Sequence, residues 1–123
     1  MQKALKIIIL LLALPLIALG LKTMIDPVSM TEQFGMSLTG NTGLNSLRSM
    51  FPGVLVGSGM MMIIGVWKKN TTWFLAAAVI MLVVAFGRIL SFGLDGFDSS
   101  SLPATIFEVV VGMVLIFSNK RLA

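Results

Sequence analysis

Four apolar runs, each long enough to cross a bilayer, constrain this chain more than any other feature. They are Ala4 to Leu21 ("ALKIIILLLALPLIALGL"), Leu44 to Trp67, Thr71 to Leu94 and Leu102 to Ser118. A helix needs about 20 apolar residues to span the hydrocarbon core, and the fourth run is at the short end of that range. In lipid the backbone has no water to bond, so only helices and closed barrels can span. A barrel strand alternates apolar and polar residues, and these runs do not alternate. The expected fold is therefore all-α, an integral membrane four-helix bundle in a single transmembrane domain over residues 1–123. Its helices are expected at approximately 4–21, 44–67, 71–94 and 102–118. Charged residues make up 11% of the chain, against about 25% in soluble domains, so most of the surface should meet lipid.

The first run also has the form of a secretory signal: Lys3 and Lys6 precede it, and Ala18-Leu19-Gly20 resembles a small-x-small cleavage site. The reading adopted is a retained span. Cysteine and histidine are both absent. Their absence removes disulfides, thiol nucleophiles, His- or Cys-ligated metals and haem, and the commonest general base. No metal site, catalytic residue or resident cofactor is expected. Met60, Met61 and Met62 are consecutive, so on a helix they point about 100° apart and cannot share an ion.

Orientation follows from the cations of the short loops. Lys3, Lys6, Lys68, Lys69, Lys120 and Arg121 share one side if the spans alternate, while Asp26, Glu32, Asp95 and Asp98 fall on the other with Lys22. The basic side is expected to be cytoplasmic, carrying both the N- and C-termini. Trp67 and Trp73 flank the Lys68-Lys69-Asn70 turn, as an interfacial aromatic belt would. The net charge of +4 is thus a topology signal, and no nucleic-acid partner is expected.

The first outer loop is long for a bundle connection. Within it "DPVSMTEQFG" reads as a short helix, with Asp26 as N-cap, Pro27 at the first helical position and Gly35 just past the end. Val28, Met30, Phe34 and Met36 would place it at the membrane interface, the preferred reading, or over the outer mouth of the bundle. "GNTGLNS" reads as a turn before the second span.

Charge inside a membrane helix is costly and usually faces the bundle interior. Three such residues occur: Arg48, Arg88 and Glu108. Arg88 lies six residues before Leu94 and Glu108 six after Leu102, so both sit roughly 9 Å below the outer ends of their spans. Arg48 is shallower. Arg88, Ser91 and Asp95 recur at i, i+3 and i+7 and share one helical face. Small residues flank Glu108 at Ala104 and Gly112, and Pro52 and Gly59 lie near Arg48 around the second helix. The candidate site is accordingly Arg48, Arg88, Ser91, Asp95 and Glu108, converging in the outer half. Two readings stand side by side. In one, Arg88 and Glu108 form a structural ion pair while Arg48 snorkels to the interface. In the other, the cluster lines an outward-facing pocket for an anionic headgroup or a polar small molecule. Ser49, Gly53, Gly57 and Gly65 form a small-residue stripe for helix packing, within the bundle or between protomers.

An arginine opening the second helix, "GRxxSxxxDG" closing the third and a glutamate early in the fourth resemble a bacterial membrane family. It is catalogued as domain of unknown function 4345, within the wider DoxX-like group of four-helix proteins. The carriers here are Arg48, Gly87, Arg88, Ser91, Asp95, Gly96 and Glu108. Family members tend to follow the first arginine with a glycine pair, where this chain has "RSMFPG" with Pro52 in place of one glycine. The resemblance implies a membrane bundle and no assigned reaction; some DoxX-like relatives are small subunits of quinone-linked oxidoreductases. The expected function is a non-catalytic accessory or ligand- and lipid-binding subunit of the bacterial inner membrane. The alternatives are a quinone-linked oxidoreductase component and a small transporter. Its expected partners are membrane lipids and a larger membrane complex or further copies of itself.

Overall fold

The computed structural model describes residues 1–123. It is built from helices alone: α1 (Gln2–Ile25), α2 (Pro27–Phe34), α3 (Gly40–Lys68), α4 (Thr72–Leu94) and α5 (Leu102–Leu122). All but α2 are long and apolar enough to cross a membrane, and the protein is a transmembrane four-helix bundle.

The helices overrun the apolar segments for local reasons. α5 continues through Asn119, Lys120 and Arg121, where lysine and arginine are good helix formers and their charge complements a helix C-terminus. α1 runs on through Lys22 to Ile25 and stops before Asp26-Pro27, because proline disfavours the helical region for the residue ahead of it. α3 starts at Gly40 rather than Leu44, so "GNTG", expected as a turn, is its first helical turn. α4 ends at Leu94, and two residues later Gly96 adopts φ 104°, a conformation open to a residue without Cβ.

α1 packs along α3, and α4 packs along α5. The two pairs meet through α3 with α4 and, over a shorter stretch, α1 with α5, leaving α1/α4 and α3/α5 as diagonals. α2 rests on α1 and α3 alone. Ile9, Met62, Phe74, Met81, Val111 and Leu115 fill the buried core. The perimeter carries exposed Leu11, Leu14, Val79, Val83, Phe86 and Met113, an apolar girdle that water would not tolerate and lipid does. One end of the bundle is basic. A small polar cleft there brings Lys6 of α1, Lys69 of the α3–α4 turn and Leu122 of α5 together, and Lys68 Nζ lies 5.3 Å over the Trp67 ring.

Lipid tails are as apolar as leucine, so membrane helices associate by close packing, and small residues permit it. Close approaches lie at Gly20, Gly59, Gly65 and Gly112. A Cβ on Gly59 of α3 would stand 2.5 Å from Ile17 Cγ1 and 3.1 Å from the Ala13 carbonyl oxygen of α1. One on Gly112 of α5 would stand 2.6 Å from Leu82 Cδ2 of α4. Of the expected stripe, Gly65 packs this way against Phe74, whereas Gly53 and Gly57 have nothing within 4 Å of a would-be Cβ. Ser49 is exposed and its hydroxyl donates to the Asn45 carbonyl of its own helix at 2.7 Å. The stripe therefore divides, with its inner member inside the bundle and the other three facing outward. Overpacking of this kind costs about 1–3 kcal/mol. Thermal unfolding in detergent should show Gly59→Val less stable by that amount and Gly53→Val close to the parent protein.

Candidate functional site

Arg88 and Glu108 form the single ion pair of the structure. The Arg88 Nε–H donates to Glu108 Oε1 at 2.9 Å and to Oε2 at 3.1 Å. Both carboxylate oxygens are thereby engaged by one nitrogen, and the terminal Nη1 and Nη2 groups bond no other protein atom. Glu108 is buried and the Arg88 side chain is 28% exposed. Bonding through Nε leaves the four N–H bonds of Nη1 and Nη2 without a protein acceptor.

Arg88 and Glu108 both line a cavity of about 660 Å³ in the half of the bundle opposite the basic end, within the range of small-molecule sites. Both helix pairs line it. Leu16 and Leu19 come from α1, Phe51 and Leu55 from α3, Val84 from α4, and Ala104 and Phe107 from α5. The side chain of α2's Phe34 joins them, stacked 4.8 Å from the ring of Phe51, with Gln33 beside it. α2 is held down by Met30, which is fully buried. Its N-terminus is tied by the Asp26 carboxylate, which accepts from the Ser29 N–H at 3.3 Å, and its C-terminus by Gly35 at φ 65°. The loop helix thus lies against the α1–α3 side of the cavity and contributes Gln33 and Phe34 to its wall. Met50 lines the cavity from α3 and is 72% exposed, so the cavity reaches the protein surface beside it. Of its sixteen lining residues, Arg88 and Glu108 alone carry charge.

The structure does not gather the five candidate residues into one cluster. Arg48 is absent from the cavity wall. Its Nη1 donates to the Met24 and Ile25 carbonyls at 2.7 and 3.1 Å. These belong to the last turn of α1, whose carbonyls have no intrahelical partner, and a cation is favourable there. Ser91 and Asp95 are exposed and pair with each other, the Ser91 hydroxyl donating to Asp95 Oδ2 at 2.8 Å. The separation follows from side-chain direction, since the Cα–Cβ bond tilts toward a helix's N-terminus. α3 enters from the outer end, so Arg48 leans outward to α1. α4 leaves toward the outer end, so Arg88 leans inward, away from Asp95. Phe51 and Phe107 were not singled out in the sequence, and their types alone could not distinguish cavity wall from lipid-facing surface.

Removing one partner of a buried pair strands the other charge, at a cost of about 3 kcal/mol or more, whereas replacing both by apolar groups can be neutral. Glu108→Ala should therefore lose about that much stability in chemical unfolding. The double variant Arg88→Met/Glu108→Leu should recover most of it.

On the α4–α5 loop, the Ser101 hydroxyl donates to Asp98 at 2.6 Å, and the Ser100 hydroxyl and N–H donate at 2.7 and 3.1 Å. These bonds hold the exposed Asp98 carboxyl below the usual aspartate range. Because the folded value is depressed, the stabilisation is complete at neutral pH and is lost as acid takes the pH down through that value. NMR titration should give Asp98 a lower midpoint than an ordinary aspartate, with Ser100→Ala/Ser101→Ala returning it to about 3.9.

No curated protein and no solved structure matches this sequence. A family match covers the four spans and both halves of the ion pair: residues 4–118 fit the family described as domain of unknown function 4345. The chain belongs to that family.

Proposed function

We propose that the protein is a small membrane subunit that binds a membrane-soluble amphiphile in its outer cavity, without catalysing a reaction on it. One observation carries this reading: an apolar cavity holds a guanidinium whose terminal N–H groups bond no other protein atom. A purely structural pair gains most when all its donors are satisfied, because unpaired polar groups are costly in a low dielectric. Here the donors lie where the oxygen of a bound molecule can meet them, and the apolar wall suits a chain or ring. The basic end faces the cytoplasm of a bacterial inner membrane in this reading, by the distribution of Lys and Arg between its short loops. The cavity then opens in the outer leaflet.

A quinone-linked role is the second reading. The stacked Phe34 and Phe51 and the neighbouring Phe107 favour it, since an aromatic wall beside an N–H donor suits a flat ring bearing carbonyl oxygens. Transport would require a polar route past Ile9, Met62, Phe74 and Leu115, which fill the core. An accessory role in a larger complex would use the outward-facing Ser49, Gly53 and Gly57.

The test is native mass spectrometry of protein released from its own membranes. The parent protein should carry a bound small molecule, and Val84→Phe, which fills the cavity one helical turn from Arg88, should lose it while keeping its helical circular dichroism. A parent protein without an adduct, or an adduct that survives Val84→Phe, would overturn the proposal.

A further inference from the structure

The charge balance of the cavity narrows the chemistry of what it takes. We infer that the site selects an uncharged amphiphile, one whose polar end offers acceptor oxygens such as carbonyl, ester or hydroxyl and bears no ionised group. The inference rests on the cavity being a ligand site and adds the class of ligand.

Three observations combine. First, Arg88 and Glu108 are the charged members of the lining and lie 2.9 Å apart, so the wall holds a neutral pair whose Nη donors have no protein acceptor. Second, no further cation is at hand. Arg48, the other arginine of the outer half, is bound to the end of α1 and is not part of the wall. Lys22 is exposed and also lies outside the wall. Third, the rest of the lining is apolar apart from Gln33, so nothing else screens a charge. A phosphate or carboxylate placed on the Arg88 Nη groups would bring a second negative charge beside the Glu108 carboxylate. The cavity would then hold net negative charge inside an apolar bundle, a costly state. A neutral oxygen accepts the same N–H bonds and leaves the balance at zero. The cavity reaches the surface beside exposed Met50, and in a membrane-spanning bundle the surrounding lipid is the phase in which such molecules dissolve.

The site can be challenged with two probes that differ by one phosphate. 1-Monooleoylglycerol and 1-oleoyl-lysophosphatidate, in equal amounts, are offered to the protein in phosphatidylcholine nanodiscs, and the bound mass is read by native mass spectrometry. The parent protein should favour the monoacylglycerol by about tenfold or more. Glu108→Gln keeps an acceptor oxygen for Arg88 Nε but leaves the cavity with one net positive charge, and should reverse the preference toward the phosphate. Val84→Phe should take up neither probe. A parent protein that prefers lysophosphatidate, or a Glu108→Gln variant that still prefers the neutral probe, overturns the charge inference and leaves ligand binding standing. If the parent protein binds neither probe, or Val84→Phe binds as the parent does, the cavity is not the binding site and the functional proposal falls with the inference.

Discussion

An arginine placed inside a membrane bundle has to be neutralised from within the protein, and here Glu108 does so through a single nitrogen. Most of what distinguishes the outer half of this molecule follows from that contact. It fixes α5 against α4 at matching depth, with Arg88 Nε on both oxygens of Glu108. Gly112, one turn further along α5, sets how closely the two helices approach at Leu82. The pair also makes the α4–α5 half of the molecule polar at one point on its inner surface, facing the apolar α1–α3 half. A cavity between the halves is then amphipathic without any further polar residue being buried.

The division of labour among the arginines shows why depth alone is a poor guide to which charges meet. Arg48 and Arg88 both lie in the outer half of the bundle, but their helices run in opposite directions. Side chains lean toward the N-terminus of their own helix, so one arginine rises to bind carbonyls at the end of α1 and the other sinks to Glu108. The same antiparallel geometry parts Arg88 from Asp95, which share a face of α4 and still take separate partners. Arg48 then does a different kind of work. It ties α3, two turns into that helix, to the end of α1 just ahead of α2.

How much of this was legible in the sequence differs by feature. The four spans were, because a long apolar run is diagnostic by itself. The short helix α2 was, because Asp26-Pro27 and Gly35 mark both of its ends. The equal depth of Arg88 and Glu108 follows from counting residues. What counting does not give is the rotation of each helix about its axis. In a soluble bundle the polar face supplies it, but here the lipid-facing and core-facing sides are equally apolar. Gly53 and Gly57 therefore looked as suitable for packing as Gly20, Gly59 and Gly112, and only the last three, with Gly65, meet a neighbouring helix. A pocket beside Arg88 and Glu108 was one of the two sequence readings, but its apolar wall was hidden for a related reason. The cavity is a space bounded by side chains from five helices, and each lining residue taken singly resembles an ordinary core position.

The exposed position of Met50 has a consequence for how strongly any occupant must bind. A molecule reaching the cavity from the surrounding lipid is already dissolved in the bilayer, confined to a thin layer and enriched there by its own hydrophobicity. What governs occupancy is then its mole fraction among the lipids, not its concentration in water. Modest intrinsic affinity is enough to fill such a site, and the few N–H bonds of one guanidinium need only choose among lipids that are already present. Water-soluble metabolites, however well their polar ends fit, would be outnumbered at the opening.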